Sequence, residues 1–182
     1  EIQISHKVCL FMETYIIETE RLRLREFSSS DSEMVFNLLN SPGWIKFIGS
    51  RSILNLDDAA NYIETKIRKG YIESGFGFYL IELKSTGEKI GMSGLVKREA
   101  LEDTDIGFAL LPEYENMGYA FESTAAVVIF AKEKLKLSKL AAITVPYNTA
   151  SIKLLEKLGM KFDKKINMPG DPEDLLLYSM EL

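Results

Sequence analysis

A chain of 182 residues is long enough for one domain with a full core, and 46% hydrophobic content is ordinary for a globular protein. A net charge of −5 works against non-specific attraction to nucleic acid or an anionic membrane, no apolar run approaches the ~18 to 20 residues that span a bilayer, and the N-terminus lacks the basic and apolar pattern of a signal peptide. The single cysteine, Cys9, and single histidine, His6, exclude an internal disulfide framework and argue against zinc chemistry or Cys/His nucleophilic catalysis, so the expectation is a cytoplasmic protein with no metal.

Residues 1–11 carry the only Cys and His, show no clear periodicity and precede Met12, a candidate start. They read as a tail, added or disordered, ahead of a single domain over 12–182. Thr19 to Phe27 alternates charged and apolar residues, which predicts a first strand with its arginines on the solvent side. Ser28-Ser29-Ser30-Asp31 supplies helix-cap candidates, with Glu33 spaced for a capping box on Ser30, before the apolar stripe of Met34, Val35, Leu38 and Leu39. That helix is expected to stop near Ser41-Pro42-Gly43. Trp44 to Gly49 reads as an apolar loop, and Ala59, Ala60, Ile63 and Ile67 recur at helical intervals in a second helix.

Phe76 to Leu83 and Lys89 to Arg98 are two further strands, joined by a turn at Ser85-Thr86-Gly87-Glu88. Thr104 to Leu111 is another, ended by Pro112. Phe121 to Leu137 is helical by period, so Pro112 to Ser123 is a strand-to-helix turn placed on a helix N-terminus. Leading amides of a helix are unpaired and lie at the positive end of its dipole, and Gly118 and Ala120 leave them uncovered, which suits an anion. A βα turn that merely needed small residues would look the same. Leu140 to Val145 is nearly all apolar, as a strand covered on both faces is. Asn148, Ser151 and Gly159 then serve as cap, first turn and stop of another helix. Phe162 to Ile166 and Asp174 to Met180 are expected to pair across a turn at Met168 to Pro172, the last strand inserting beside Leu140 to Val145.

Two stretches carry a family resemblance. Glu115-x-x-Gly118-x-Ala120 is similar to the Gln/Arg-x-x-Gly-x-Gly/Ala motif of the GNAT superfamily of N-acetyltransferases. Asn148-x-x-Ser151 with Leu-Gly-Met at 158–160 is similar to that superfamily's second signature, and the opening Thr19-Glu20-Arg21-Leu22-Arg23-Leu24-Arg25 resembles its RimJ/RimL branch. The likeness spans roughly Glu18 to Leu182. It implies an α/β (α+β) fold, a mixed, mostly antiparallel twisted sheet of about seven strands with four main helices, and acyl transfer from acetyl-CoA to a primary amine of a small molecule or a protein N-terminus by direct attack in a ternary complex.

The resemblance also implies roles. Asn116, Met117, Gly118, Tyr119, Ala120 and Phe121 would bind the pyrophosphate. Phe108, Ala109 and Leu110 would meet the pantetheine arm where their strand splays from the next, Asn148 would contact that arm or its phosphate, and Ser151 would approach the sulfur. Trp44, Phe47 and Ile48 would line the acceptor site, although a buried core position is the more natural reading of Trp44, since large aromatics carry much of any core.

The chain departs from the pattern in three places. Glu115 and Met117 replace residues that are often basic, so the loop has no cation of its own and binding would rest on the backbone. Leu155 stands where many members carry a tyrosine acid, which moves that role to Ser151 or to water. For the base, Glu82, Glu99, Glu102 and Asp105 are available on or near the relevant strands, Asp105 and Glu82 being the candidates carried forward. Two rivals stay open: a non-catalytic CoA-binding or sensing module, and a domain whose Gly118 turn binds another phosphate ligand such as a nucleotide. Neither a nucleic-acid nor a membrane partner is expected, and monomer and homodimer are both compatible with the sequence.

Overall fold

A computed structural model describes residues 14–182, so the tail expected at 1–11 lies outside the described residues. Strand β1 (Tyr15–Glu18) turns at Thr19, whose amide donates to the Leu22 carbonyl at 3.0 Å, into β2 (Leu22–Arg25). Strands β3 (Phe78–Leu83), β4 (Lys89–Val96), β5 (Thr104–Leu110), β6 (Lys139–Thr144), β7 (Lys161–Ile166) and β8 (Leu175–Glu181) complete one eight-stranded sheet in the order β1-β2-β3-β4-β5-β6-β8-β7. The class is the expected one, with one strand more than expected. The addition is β1, whose Tyr-Ile-Ile run is aromatic and β-branched, as strands favour.

The arginines of β2 are not all on a solvated face. Leu22 and Leu24 are fully buried on one side, but Arg25 is buried on the other, because the 3₁₀ turn Ser29–Asp31 and the helix after it cover that side. Arg25 donates to both oxygens of Asp31 at 2.9 and 3.0 Å and to Glu82 at 2.8 Å. The capping box also differs from expectation: the Ser28 amide donates to Asp31, at 2.9 Å, so the partner is Asp31 and not Glu33.

Helix α1 (Ser32–Leu39) is followed by a second short helix, α2 (Pro42–Phe47), where a loop was expected. Ser41 accepts from the Trp44 amide and Pro42 occupies the first turn, so Ser-Pro starts a helix here rather than only stopping one. Helix α3 (Leu56–Tyr62) continues through a π turn (Ile63–Ile67) into α4 (Arg68–Ser74). Helices α1 to α4 pack on one face of the sheet through Val35, Leu38, Leu39, Ala59 and Ile63 against Leu80 and Met92. Helices α5 (Tyr119–Glu133) and α6 (Thr149–Lys157) cover the other face, where Val127, Ala131 and Leu155 meet Leu24, Ile81, Leu95 and Leu140. No helix among the described residues is long and apolar enough to cross a membrane.

All neighbouring strands are antiparallel except β5 and β6. That parallel pair holds only at Thr104 with Leu140 and Asp105 with Ala141. Each strand keeps its outer partner beyond that point, β5 on β4 as far as Leu110 and β6 on β8 as far as Thr144. Between them the sheet parts, leaving the β6-facing edge of residues 106–110 without a strand partner.

Candidate active site

Because β5 and β6 run in the same direction, the helices that follow them begin at the same end of the sheet, at the mouth of this parting. From β5 the chain passes through a 3₁₀ turn at Pro112–Tyr114, then through Asn116 and Gly118 in left-handed conformations, φ 60° and 85°, and enters α5. Gly118 is the N-cap, and no side chain caps the helix, so its leading amides are open to a ligand. The left-handed φ at 118 is one glycine adopts without strain. Met117 is exposed, while Ala120 lies half-buried and accepts the Thr124 hydroxyl at 2.6 Å on its carbonyl. Phe121 lies on the α6 side, with the Lys157 ammonium 4.1 Å over its ring.

A cation does reach this loop, from a distant part of the sequence. Arg21 in the β1–β2 turn donates through Nη1 to the Met117 carbonyl at 3.1 Å and through Nε to Glu122 at 2.6 Å, and its guanidinium lies 4.4 Å over the Tyr119 ring. Glu122 is thus more than a favourable helix-dipole charge, since it also accepts from the Thr19 hydroxyl at 2.6 Å. Partial burial pushes its carboxyl up, but the hydrogen bonds from Thr19 and Arg21 outweigh this and hold it below the usual range.

On the β6 side, Asn148 caps α6: its side-chain oxygen accepts from the Ser151 amide at 3.1 Å. The Ser151 hydroxyl is half-buried and makes no hydrogen bond among the described residues. Leu155, in place of the tyrosine, is fully packed in the core.

Asp105 sits where the strands part. It is only 3% exposed, its Oδ2 accepts from Arg98 Nε at 2.6 Å, and its Oδ1 has no hydrogen-bond partner. Burial pushes this carboxyl up to about 6, the Arg98 guanidinium and, to a smaller extent, the Ile143 backbone amide on β6 offsetting part of the effect. Glu82, the other candidate, is not brought to the cleft. It lies on β3, two strands from β5, and its carboxylate is taken up by Arg25 with Tyr15 alongside.

Of the three expected acceptor-lining residues, Trp44 belongs to the core between α1 to α4 and the sheet, with its indole N–H unpaired. Ile48 is exposed. Phe47 reaches the end of β6: it packs with Val145, Leu101 and Leu175, and its ring centroid lies 6.1 Å from that of Tyr147. Arg21, Arg98 and Tyr147 are the site neighbours that the sequence reading passed over. Arg98 was within reach of it, since pairing Val96 with Asp105 in the hairpin brings Arg98 beside the acid.

A mostly antiparallel sheet with one parting parallel pair, and two helix N-termini at its mouth, is the architecture that the resemblance to the acetyltransferases implies. The comparisons agree. Residues 21–161 match the family model described as an acetyltransferase (GNAT) domain. An uncharacterized N-acetyltransferase of Bacillus subtilis, YoaA, is 28% identical over 91% of this chain and 96% of its own length. The crystal structure of an acetyltransferase from Agrobacterium tumefaciens superposes with a TM-score of 0.76 at 28% identity, covering 90% of this chain and 92% of that one. The microcin C7 self-immunity acetyltransferase MccE, solved with acetyl-CoA and AMP, shares the fold at a TM-score of 0.76 and 14% identity, over 90% of this chain and 94% of that one. The chain belongs to the GNAT acetyltransferase family, and it is an N-acetyltransferase.

Proposed function

We propose that the protein transfers an acetyl group from acetyl-CoA to a primary amine by direct attack in a ternary complex. The observation that carries this reading is the parting of β5 from β6 after Asp105, with the uncapped N-terminus of α5 at its mouth. Residues 106–110, among them Phe108, Ala109 and Leu110, offer unmatched N–H and C=O groups that suit the amide-bearing arm of CoA as an added strand. The amides of residues 116–121 suit its pyrophosphate. Bound acetyl-CoA would supply the thioester whose C–S bond is exchanged for a C–N bond to the acceptor.

Asp105 is the proton acceptor in this reading. A carboxyl poised near 6 is ionised at neutral pH, and its unpartnered oxygen takes a proton from the incoming ammonium directly or through one water. Ser151, at the start of α6 with an unengaged hydroxyl, returns a proton to the departing thiolate. Asn148 keeps that turn in place. Phe47 and Tyr147 form the acceptor wall, open to a small amine or to a protein N-terminus.

Thiol release from acetyl-CoA against panels of peptides, amino acids, polyamines and aminoglycosides tests the proposal. Saturable release with at least one amine supports it. Tight acetyl-CoA binding with no release across the panels would favour the non-catalytic module, a reading to which the buried Leu155 in place of a tyrosine acid lends weight.

A further inference from the structure

No residue between Pro112 and Phe121 is basic, yet one guanidinium grips the loop on both sides of its left-handed glycine. Arg21 holds the Met117 carbonyl before Gly118, and the Tyr119 ring and the Glu122 carboxylate after it. A Cβ on Gly118 would stand 3.2 Å from Arg21 Nη2, so the contact is close. The turn that carries Arg21 is itself fixed. Lys84 Nζ donates to the Thr19 carbonyl at 2.5 Å, and the Arg21 backbone amide donates to Glu122 at 2.9 Å.

The trans peptide gives this grip a direction. In a planar trans unit the C=O and N–H point opposite ways, so a Met117 carbonyl turned onto Arg21 aims the Gly118 N–H away from Arg21. Glu122, one turn into α5, is pinned by the same side chain and so fixes the helix start. The ion pair is part-exposed on the Arg side, 44% against 18% for Glu122, and such pairs contribute little to overall stability. Its consequence is local geometry.

We infer that Arg21 is a positioning residue for the phosphate-binding amides: it orients the Gly118 peptide and the start of α5, and so sets affinity for phosphate-bearing acyl donors without touching the reacting atoms. This rests on the acetyl-CoA reading above. Lysine is a poor substitute, because a point charge cannot hold Glu122 and the Met117 carbonyl together in one planar fork.

The test compares two donors on wild type, Arg21→Ala, Arg21→Lys and Glu122→Gln: acetyl-CoA, and S-acetylpantetheine, which carries the same thioester without phosphates. Arg21→Ala is expected to raise the KM and Kd for acetyl-CoA about tenfold with kcat close to wild type. Its kcat/KM for S-acetylpantetheine is expected to stay within about twofold of wild type, with Arg21→Lys recovering only part of the acetyl-CoA loss. Equal losses on both donors, or none on either, overturn the inference. Should Arg21→Ala fail to fold, Glu122→Gln carries the same donor comparison. Wild type that binds no acetyl-CoA would instead overturn the acetyl-CoA reading beneath it.

Discussion

Arg98 Nε lies 2.6 Å from one carboxylate oxygen of Asp105, while the other oxygen has no partner, at the last pair that β5 shares with β6. The arrangement holds the acid in place without fully satisfying it. Its consequences for stability and for activity run in opposite directions with pH.

With a folded-state carboxyl raised to about 6 from an ordinary 3.8, Asp105 binds its proton more tightly folded than unfolded. Its favourable contribution to stability is therefore full below about 3.8 and is lost as pH rises through about 6. Activity depends on the other form, so kcat/KM should climb through pH ~6 with unit slope as the base ionises. Asp105→Asn should remove that limb, lower the rate at pH 8 by ~100-fold or more, and flatten the change in Tm between pH 4 and 7. A pH–rate profile and a thermal series on both proteins decide it; an unchanged acidic limb in the variant removes Asp105 as the base.

Asp31 behaves in the reverse sense. Burial pushes its carboxyl up, but Arg25, Lys89 and the Ser28 amide outweigh that and bring it to about 2. Its contribution is full above about 3.8, neutral pH included, and is lost as pH falls through about 2, so it shapes acid unfolding. Asp31→Asn should lower stability at pH 7 by roughly 2 kcal/mol and narrow the gap from wild type near pH 2, as read by denaturant melts.

Glu82→Gln separates a structural carboxylate from a catalytic one. Arg25 would keep Asp31 but lose the Glu82 charge in a buried setting, at a cost of up to about 3 kcal/mol. Turnover per folded molecule should stay within about twofold of wild type. A ~100-fold fall in kcat with stability intact would instead mark Glu82 as the base.

Most of the sheet was legible because its strands are apolar or, in β2, alternating runs and its turns carry Gly, Pro or Ser at the breaks. Strand β8 inserted beside β6 as the run from Asp174 to Met180 suggested. What escaped has physical reasons. Tyr15–Glu18 is too short to show a period next to a stretch read as a tail, and Ser41-Pro42 is compatible with both a helix end and a helix start. Arg25 with Glu82, and Arg21 with Glu122, lie 57 and 101 positions apart, and nothing local distinguishes an arginine that will be covered from one left in water. The splay between β5 and β6 came from the resemblance alone, since whether a strand's backbone groups find a partner leaves no mark on its side chains.

Gly118→Val addresses the loop directly. The backbone there has φ +85°, which a β-branched residue does not adopt without strain, and its Cβ would press on Arg21. Acetyl-CoA binding should weaken by more than ~1.4 kcal/mol, a tenfold loss, in a protein that still melts cooperatively. An unchanged Kd by calorimetry would remove the loop from the donor site.

Ser151 gives the sharpest contrast, because its two roles lead to different measurements. Its amide is already held by Asn148 at 3.1 Å, and its hydroxyl makes no hydrogen bond among the described residues, so Ser151→Ala should lower stability by less than about 0.5 kcal/mol. As donor of a proton to the thiolate it matters only when charge develops on sulfur. The chemical step should then slow by ~100-fold or more while acetyl-CoA affinity stays close to normal. Asn148→Ala should do the opposite, removing the α6 cap at a cost of about 1 kcal/mol and weakening acetyl-CoA binding more than the bound-state rate. Single-turnover rates beside calorimetric affinities on the two variants separate these outcomes. Wild-type turnover in Ser151→Ala would pass the proton to water and leave the acyl-transfer reading standing.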